Sequence, residues 1–487
     1  MNQQVRQRNR QVWIIISASL AGFMVLLDSN IINISLPVIA GYFNIPTGTV
    51  IQITLVYLLM LSSSLIIFGK LADLFGVKRI FVLGFTVFTV SSLLCGIAPT
   101  FSSLLLFRIF QAAGGSMLFA TSISLITRFI PAARRGWAFG IFSPLTSLGM
   151  MIGNPLGGLI TGMFNWHWIF LVNVPVGIAA IIMAVRAIPA DRQPDEHRKI
   201  SSHFDFLGSL LSFAGLGLLV FFISKGKELG WASPLTLAGL GGALLLLGVF
   251  ILWERRVKDP ILDLTIFGKR SFSFAILASV AGFGLMTGSA VLLPFYLTYG
   301  LHIDVTHAGF ILMTFAVVFS LCSPITGRLS DRLSKVRLTI TGMLLAAASC
   351  VAFALMLPRV HLGIVFAYML LLGMSYALFI TPNNNLVMSL VVEDKQSVST
   401  SFFKLATNLG QMFGLILMEL IFSLFIPRPQ GASGFALKDA PVSDLLAGFS
   451  WAFVGGAGLC LLAVFFSLFI REKDIQITAS EETAFLC

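Results

Sequence analysis

Apolar stretches of about 20 residues, separated by short polar segments, run through the whole chain. Fourteen can be read, near 12–34, 48–68, 80–98, 102–127, 136–160, 166–187, 204–223, 232–253, 272–297, 306–326, 338–357, 361–381, 399–425 and 445–470. At a rise of 1.5 Å per residue, each is long enough as a helix to cross roughly 30 Å of hydrocarbon. The pattern therefore predicts an all-α integral membrane protein with fourteen transmembrane helices. An even number of crossings puts both termini on one side.

One polar segment occurs twice: GKLADLFGVKR at 69–79 and GRLSDRLSKVR at 327–337. The copies follow the second and tenth apolar stretches, which divides the chain into six, two and six spans. The expected organisation is an N-terminal six-helix bundle over 1–190, an inserted helix pair with flanking loops over 191–271, and a C-terminal six-helix bundle over 272–471. A tail follows over 472–487. Duplicated helix sets around a duplicated charged segment point to a transporter built from repeats. The two copies are expected to be gating loops, with Gly69, Asp73 and Arg79 in the first and Gly327, Asp331 and Arg337 in the second.

Composition sharpens this reading. Hydrophobic residues make up 57% and charged residues 11% of the 487, against about 25% charged in an ordinary soluble domain. The net charge of +11 suggests nucleic acid until its distribution is examined. With the N-terminus in the cytoplasm, all but six of the 32 Lys and Arg fall on that side; the six are Lys225, Lys227, Arg359, Arg428, Lys438 and Arg108. That asymmetry is the positive-inside rule, so the charge reports topology and no nucleic acid is expected as a partner. The first apolar run is too long for a signal-peptide core and reads as a retained span. Cys95, Cys322, Cys350 and Cys460 lie in or beside spans without CxxC spacing and read as small hydrophobes. No phosphate-binding GxxxxGK[ST] loop, HExxH pair or nucleophile–base constellation is present. The chain reads as neither an enzyme nor an ATP-driven pump, with no metal and no cofactor beyond a proton gradient.

Ionisable groups inside spans are costly and mark function. Asp28 in the first span and Arg108 in the fourth both lie toward the exterior, at depths of roughly 7 and 10 Å from the middle. They can pair if those spans are neighbours. Asp28 then reads either as a structural tie or as a proton-exchanging carboxylate tuned by Arg108. Glu419, in the thirteenth span at roughly 12 Å outward, has no basic residue at its depth in the second half, and reads as protonated, as attracting a cation, or as a boundary carboxylate exposed to outside water. Span five, SPLTSLGMMIGNPLGGLITG at 143–162, repeats glycine at Gly149, Gly153 and Gly157, followed by Gly158 and accompanied by Pro155. Such a stripe allows close helix packing, or a rocking interface between the halves.

These segments resemble the major facilitator superfamily and, within it, the fourteen-span drug:proton antiporter family. LLDSNIINISLP at 26–37 is similar to that family's first-span motif LDxTIVNVALP, and RIFQAAGG at 108–115 to RxxQGxGG. GNPLGG at 153–158 resembles the antiporter motif GPxxGG, and WHWIFLVNVPVG at 166–177 resembles WRWIFLINVPIG. Departures are Asn30 for Thr, Ala112 for Gly, and Asn154 at the Pro position, with Pro155 one residue late. The resemblance implies that Asp28 and Arg108, with Asn33 and Gln111 from the same motifs, join proton coupling to substrate binding. It also implies that Gly69, Asp73 and Arg79 control the cytoplasmic gate.

The expected activity is proton-coupled multidrug export by alternating access, with small amphipathic or cationic substrates. The expected site is a bacterial cytoplasmic (inner) membrane, among membrane lipids, with the protein acting as a monomer. An endogenous metabolite, lipid or siderophore is the alternative cargo. A non-transporting sensor or scaffold is disfavoured, because no stretch reads as a soluble sensory domain.

Overall fold

A computed structural model describes residues 3–189, 205–257, 270–359, 361–390, 396–426 and 440–471. Among them, the first half comprises α1 Gln3–Ile31, α2 Leu36–Phe43, α3 Thr47–Val50, α4 Gln52–Phe75, α5 Val77–Gly96, α6 Phe101–Phe129, α7 Ala132–Met163, α8 Trp168–Leu171 and α9 Asn173–Ala187. A middle pair follows, α10 Phe206–Leu229 and α11 Pro234–Glu254. The second half comprises α12 Arg270–Phe295, α13 Val305–Arg332, α14 Lys335–Met356, α15 Leu362–Ser389, α16 Gln396–Leu424 and α17 Val442–Leu468. All fourteen apolar stretches are helical where described. Twelve are long and apolar enough to cross a membrane; α7 and α10 fall short by that measure, the apolar part of α10 being Leu207–Ile223. α7 contains Pro144 and Pro155 and begins beside Arg134 and Arg135.

Local chemistry sets the helix ends. Thr100 and Ser103 form a reciprocal capping box at the start of α6. Asp304 accepts from the backbone of Thr306 and His307 to open α13, and Ser334 accepts from Arg337 to open α14. The duplicated segment was expected to be a loop. Instead Gly69–Phe75 continues α4 and Gly327–Arg332 continues α13, because Leu and Ala at those positions favour helix. The break in the first copy is one residue, Gly76, whose φ of 102° suits glycine. The side chains of Asp73 and Asp331 lie outside the described residues.

The two halves pack by one plan. α1 lies along α7 as α12 lies along α16, and α5–α6, α4–α6 and α5–α9 are matched by α14–α15, α13–α15 and α14–α17. The halves meet along two seams, α7 with α13 and α4 with α16, which the same repeat relates. The middle pair packs on itself, and α10 leans against α4 and α16. The outer face of α11 is apolar and uncovered, with Leu244 63% and Leu245 67% exposed, as a lipid-facing surface requires.

Candidate functional site

Four helices of the first half bring their polar residues to one buried point. α1 supplies Asp28, α6 supplies Arg108 and Gln111, α9 supplies Asn173, and α5 supplies Ser92. Arg108 Nη1 donates to Asp28 Oδ2 at 2.5 Å and to Gln111 Oε1 at 2.6 Å. Gln111 Nε2 donates to Asp28 Oδ1 at 2.9 Å and to Ser92 Oγ at 2.8 Å, and Asn173 Nδ2 reaches Asp28 Oδ1 at 3.1 Å. Asp28, Arg108 and Gln111 are each 0% exposed. The guanidinium lies 4.1 Å from the centre of the Tyr57 ring and 5.5 Å from that of Phe170, a stacking environment that arginine fits better than lysine. Its Nε and Nη2 have no hydrogen-bond partner among the described residues.

The depth match of Asp28 and Arg108 thus corresponds to a direct ion pair. Asn33 does not join it: its Oδ1 accepts from Thr54 Oγ1 at 3.4 Å, beyond the end of α1, where the chain has turned into a 3-10 segment. Asn173, Ser92 and Tyr57 were not singled out from sequence. Asn173 left a signal, as a polar residue within the apolar run 166–187. Ser92 left none, since a serine in a span is ordinarily satisfied by its own helix.

The glycine stripe divides between two jobs. A Cβ at Gly149 would lie 2.3 Å from Phe23 O, one at Gly153 2.7 Å from Asn30 Cβ, and one at Gly157 2.4 Å from Ile31 O. These three therefore seat α7 on α1 within one half. Their counterparts Gly410 and Gly414 pack on Val280 and Gly284 of α12. Of the two readings of this segment, close packing within one half fits Gly149, Gly153 and Gly157, and contact between the halves fits Gly158. A Cβ there would lie 2.6 Å from Val305 O and 3.2 Å from Gly309 Cα on α13.

Other contacts close the same end. Thr306 Oγ1 donates to Gly158 O at 3.2 Å, and Tyr299 Oη donates to Pro37 O at 3.0 Å. On the second seam, a Cβ at Gly48 would lie 2.7 Å from Glu419 Oε1, so Glu419, 5% exposed, is packed against the first half. One level deeper, Asn408 Nδ2 donates to Ser62 Oγ at 2.7 Å. Toward the opposite end, Cβ atoms at Gly69, Gly136 and Gly140 would meet nothing within 4 Å. Arg79 and Arg337 are exposed there. Lys78 donates to the carbonyls of Val185 and Ile188 at 2.8 and 2.7 Å, tying the start of α5 to the end of α9.

Beside the α7–α13 seam lies a small, partly open cavity lined by Asn30, Asn154, Met150, Met286, Phe315 and Met369 among others. Asn30 and Asn154, two of the chain's departures from the resembled motifs, meet here. Asn154 Oδ1 is buried without a hydrogen-bond partner among the described residues. Lys404 is inconspicuous in the sequence, because it sits near the start of the stretch 399–425. It belongs to the span Phe402–Leu424.

Residues 18–415 and 272–484 match the pattern of the Major Facilitator Superfamily. The chain is similar to the riboflavin transporter RibZ of Clostridioides difficile, with 29% identity over 85% of this chain and 89% of that one. It is also similar to the multidrug export protein EmrB of Haemophilus influenzae, with 28% identity over 82% and 78%. Its fold matches the crystal structure of a bacterial homologue of the human lysosomal transporter Spinster, with a TM-score of 0.66 at 15% identity over 96% of this chain and 98% of that one.

Proposed function

Because the chain belongs to the Major Facilitator Superfamily and is a multi-pass membrane transporter, we propose that it is a proton-coupled secondary exporter of small amphipathic compounds. It crosses a bacterial cytoplasmic membrane fourteen times, α7 and α10 included, with both termini inside. The positive-inside distribution turns the end bearing Gly69, Arg134 and Arg332 toward the cytoplasm. The seam closed by Gly158 and Glu419 then faces outward.

The observation that carries this reading is the buried Asp28–Arg108 pair. Protonating Asp28 removes the counter-ion of a buried arginine, which costs on the order of 3–5 kcal/mol. That is as large as the few kcal/mol that separate the two conformations of a switching protein. Proton arrival and release at Asp28 would thus bias which end is open, and Gln111 and Asn173 hold the carboxylate for that exchange. Export as the direction is supported by the similarity to EmrB.

Efflux of a fluorescent dye from proteoliposomes under an imposed pH gradient tests the proposal. Asp28→Asn is expected to abolish gradient-driven efflux while retaining substrate exchange without a gradient. Intact gradient-driven efflux in this variant would refute Asp28 as the proton carrier. The similarity to RibZ favours a second reading, an endogenous metabolite, lipid or siderophore as cargo. Accumulation of one compound in a deletion strain would establish it.

A further inference from the structure

We propose that Lys404, reaching from α16 toward Phe119 of α6 in the other half, is a head-group subsite on the transport pathway, and that the carried substrate is an amphipathic anion such as a carboxylate on an apolar body. This rests on the exporter reading and narrows its substrate class.

The argument begins with position. Lys404 lies one helical turn from Asn408, whose hydrogen bond to Ser62 joins α16 to α4. On the far side of that bond from Glu419, a Cβ at Gly69 of α4 would meet no described atom within 4 Å. Lys404 Nζ stands 5.9 Å from the centre of the Phe119 ring, which belongs to the other half. Its side chain is half-buried, and no carboxylate among the described residues pairs with it. A lysine within an apolar span must reach a partner, water or a ligand. Here it meets the aromatic face of Phe119 from the other half while part of its surface stays exposed. Those are the two chemistries an anionic amphiphile needs: a donor for its head group and an apolar surface for its body.

The carboxylates from which a cationic substrate was expected are both engaged elsewhere. Asp28 is 0% exposed and ion-paired inside the first half. Glu419 is packed against Gly48 at the closed end. A cation entering beside Lys404 would be repelled, and an anion would gain a charge-assisted hydrogen bond.

Binding to the full chain in lipid nanodiscs, with empty nanodiscs subtracted, tests this. The probes are dansyl-labelled dodecanoate and its methyl ester, which differ only in charge. Wild type is expected to bind the acid at least about tenfold more tightly than the ester, the scale of one hydrogen bond to a charged group. Lys404→Gln should erase that preference and keep ester binding, which also shows that the variant is folded; Lys404→Arg should retain the preference. Equal binding of acid and ester by wild type, or a preference that survives Lys404→Gln, overturns the proposal. If Lys404→Gln loses both ligands, the Arg variant decides, and loss of the preference there with ester binding intact overturns it too. Gradient-driven dye efflux reports separately on the exporter reading, which stands if efflux persists while acid and ester bind equally.

Discussion

Gly158→Ala should wedge the two halves apart at the end where they now meet. The added Cβ would stand 2.6 Å from Val305 O, whereas ordinary contacts begin near 3.4 Å. The obstacle is backbone on α13, so no side chain can rotate away, and α7 and α13 must separate by up to about 0.8 Å. Overpacking of this kind costs about 1–3 kcal/mol. Only the conformation closed at this seam bears that cost, so it should lose about 5- to 150-fold in population relative to the one open there. Pulsed electron–electron resonance on a background without native cysteines measures the shift, with labels at Tyr42 and His302 for this end and at Arg134 and Arg332 for the other. The first distance should lengthen and the second shorten. Gly157→Ala is the control, because its Cβ would strike Ile31 O within the same half and should lower stability without moving either distance. Unchanged distances in Gly158→Ala, or a shift in Gly157→Ala alone, would refute the assignment of Gly158 to the seam.

Asp28→Leu leaves Arg108 buried and unneutralised and should cost about 3–5 kcal/mol, much of it recovered by Asp28→Leu with Arg108→Met, as read by thermal unfolding in detergent. The hydrogen bond with the His307 ring, with the backbone N–H groups of His307 and Thr306, holds the Asp304 carboxyl below its usual range. A depressed folded value adds stability that is present above the unfolded value, about 3.9, and is lost as pH falls through the folded one. Amide-exchange protection at the start of α13 should accordingly weaken in acid below about pH 4, and Asp304→Asn should remove that pH dependence. Lys78→Met deletes both bonds to the end of α9 and should lower stability by about 1–2 kcal/mol, measured in the same unfolding assay.

Much of the architecture was legible because hydropathy and repeats act over short range. A run of 20 apolar residues needs no partner to declare itself a helix, and the copies at 69–79 and 327–337 mark α4 and α13, which take matching places in the packing. The depths of Asp28 and Arg108 were readable from the 1.5 Å rise alone, yet their partners were not. Asn173 lies 145 positions from Asp28, and nothing local in either segment encodes that α9 packs against α1. The stripe at Gly149, Gly153 and Gly157 announced close packing without naming the helix packed against. The repeated segment was misread as loop because its charges suggested one, while its leucines and alanine carried the helix on to Gly76.

What the sequence determined by itself was a membrane chain of two related halves with a few costly charges inside it. Those features follow from solvation, which each residue experiences almost independently of the fold. What only the tertiary structure decided was which of those charges meet, which glycine joins the halves, and which face Lys404 presents. Those outcomes depend on distances between helices far apart in sequence, and close packing of the whole bundle sets them.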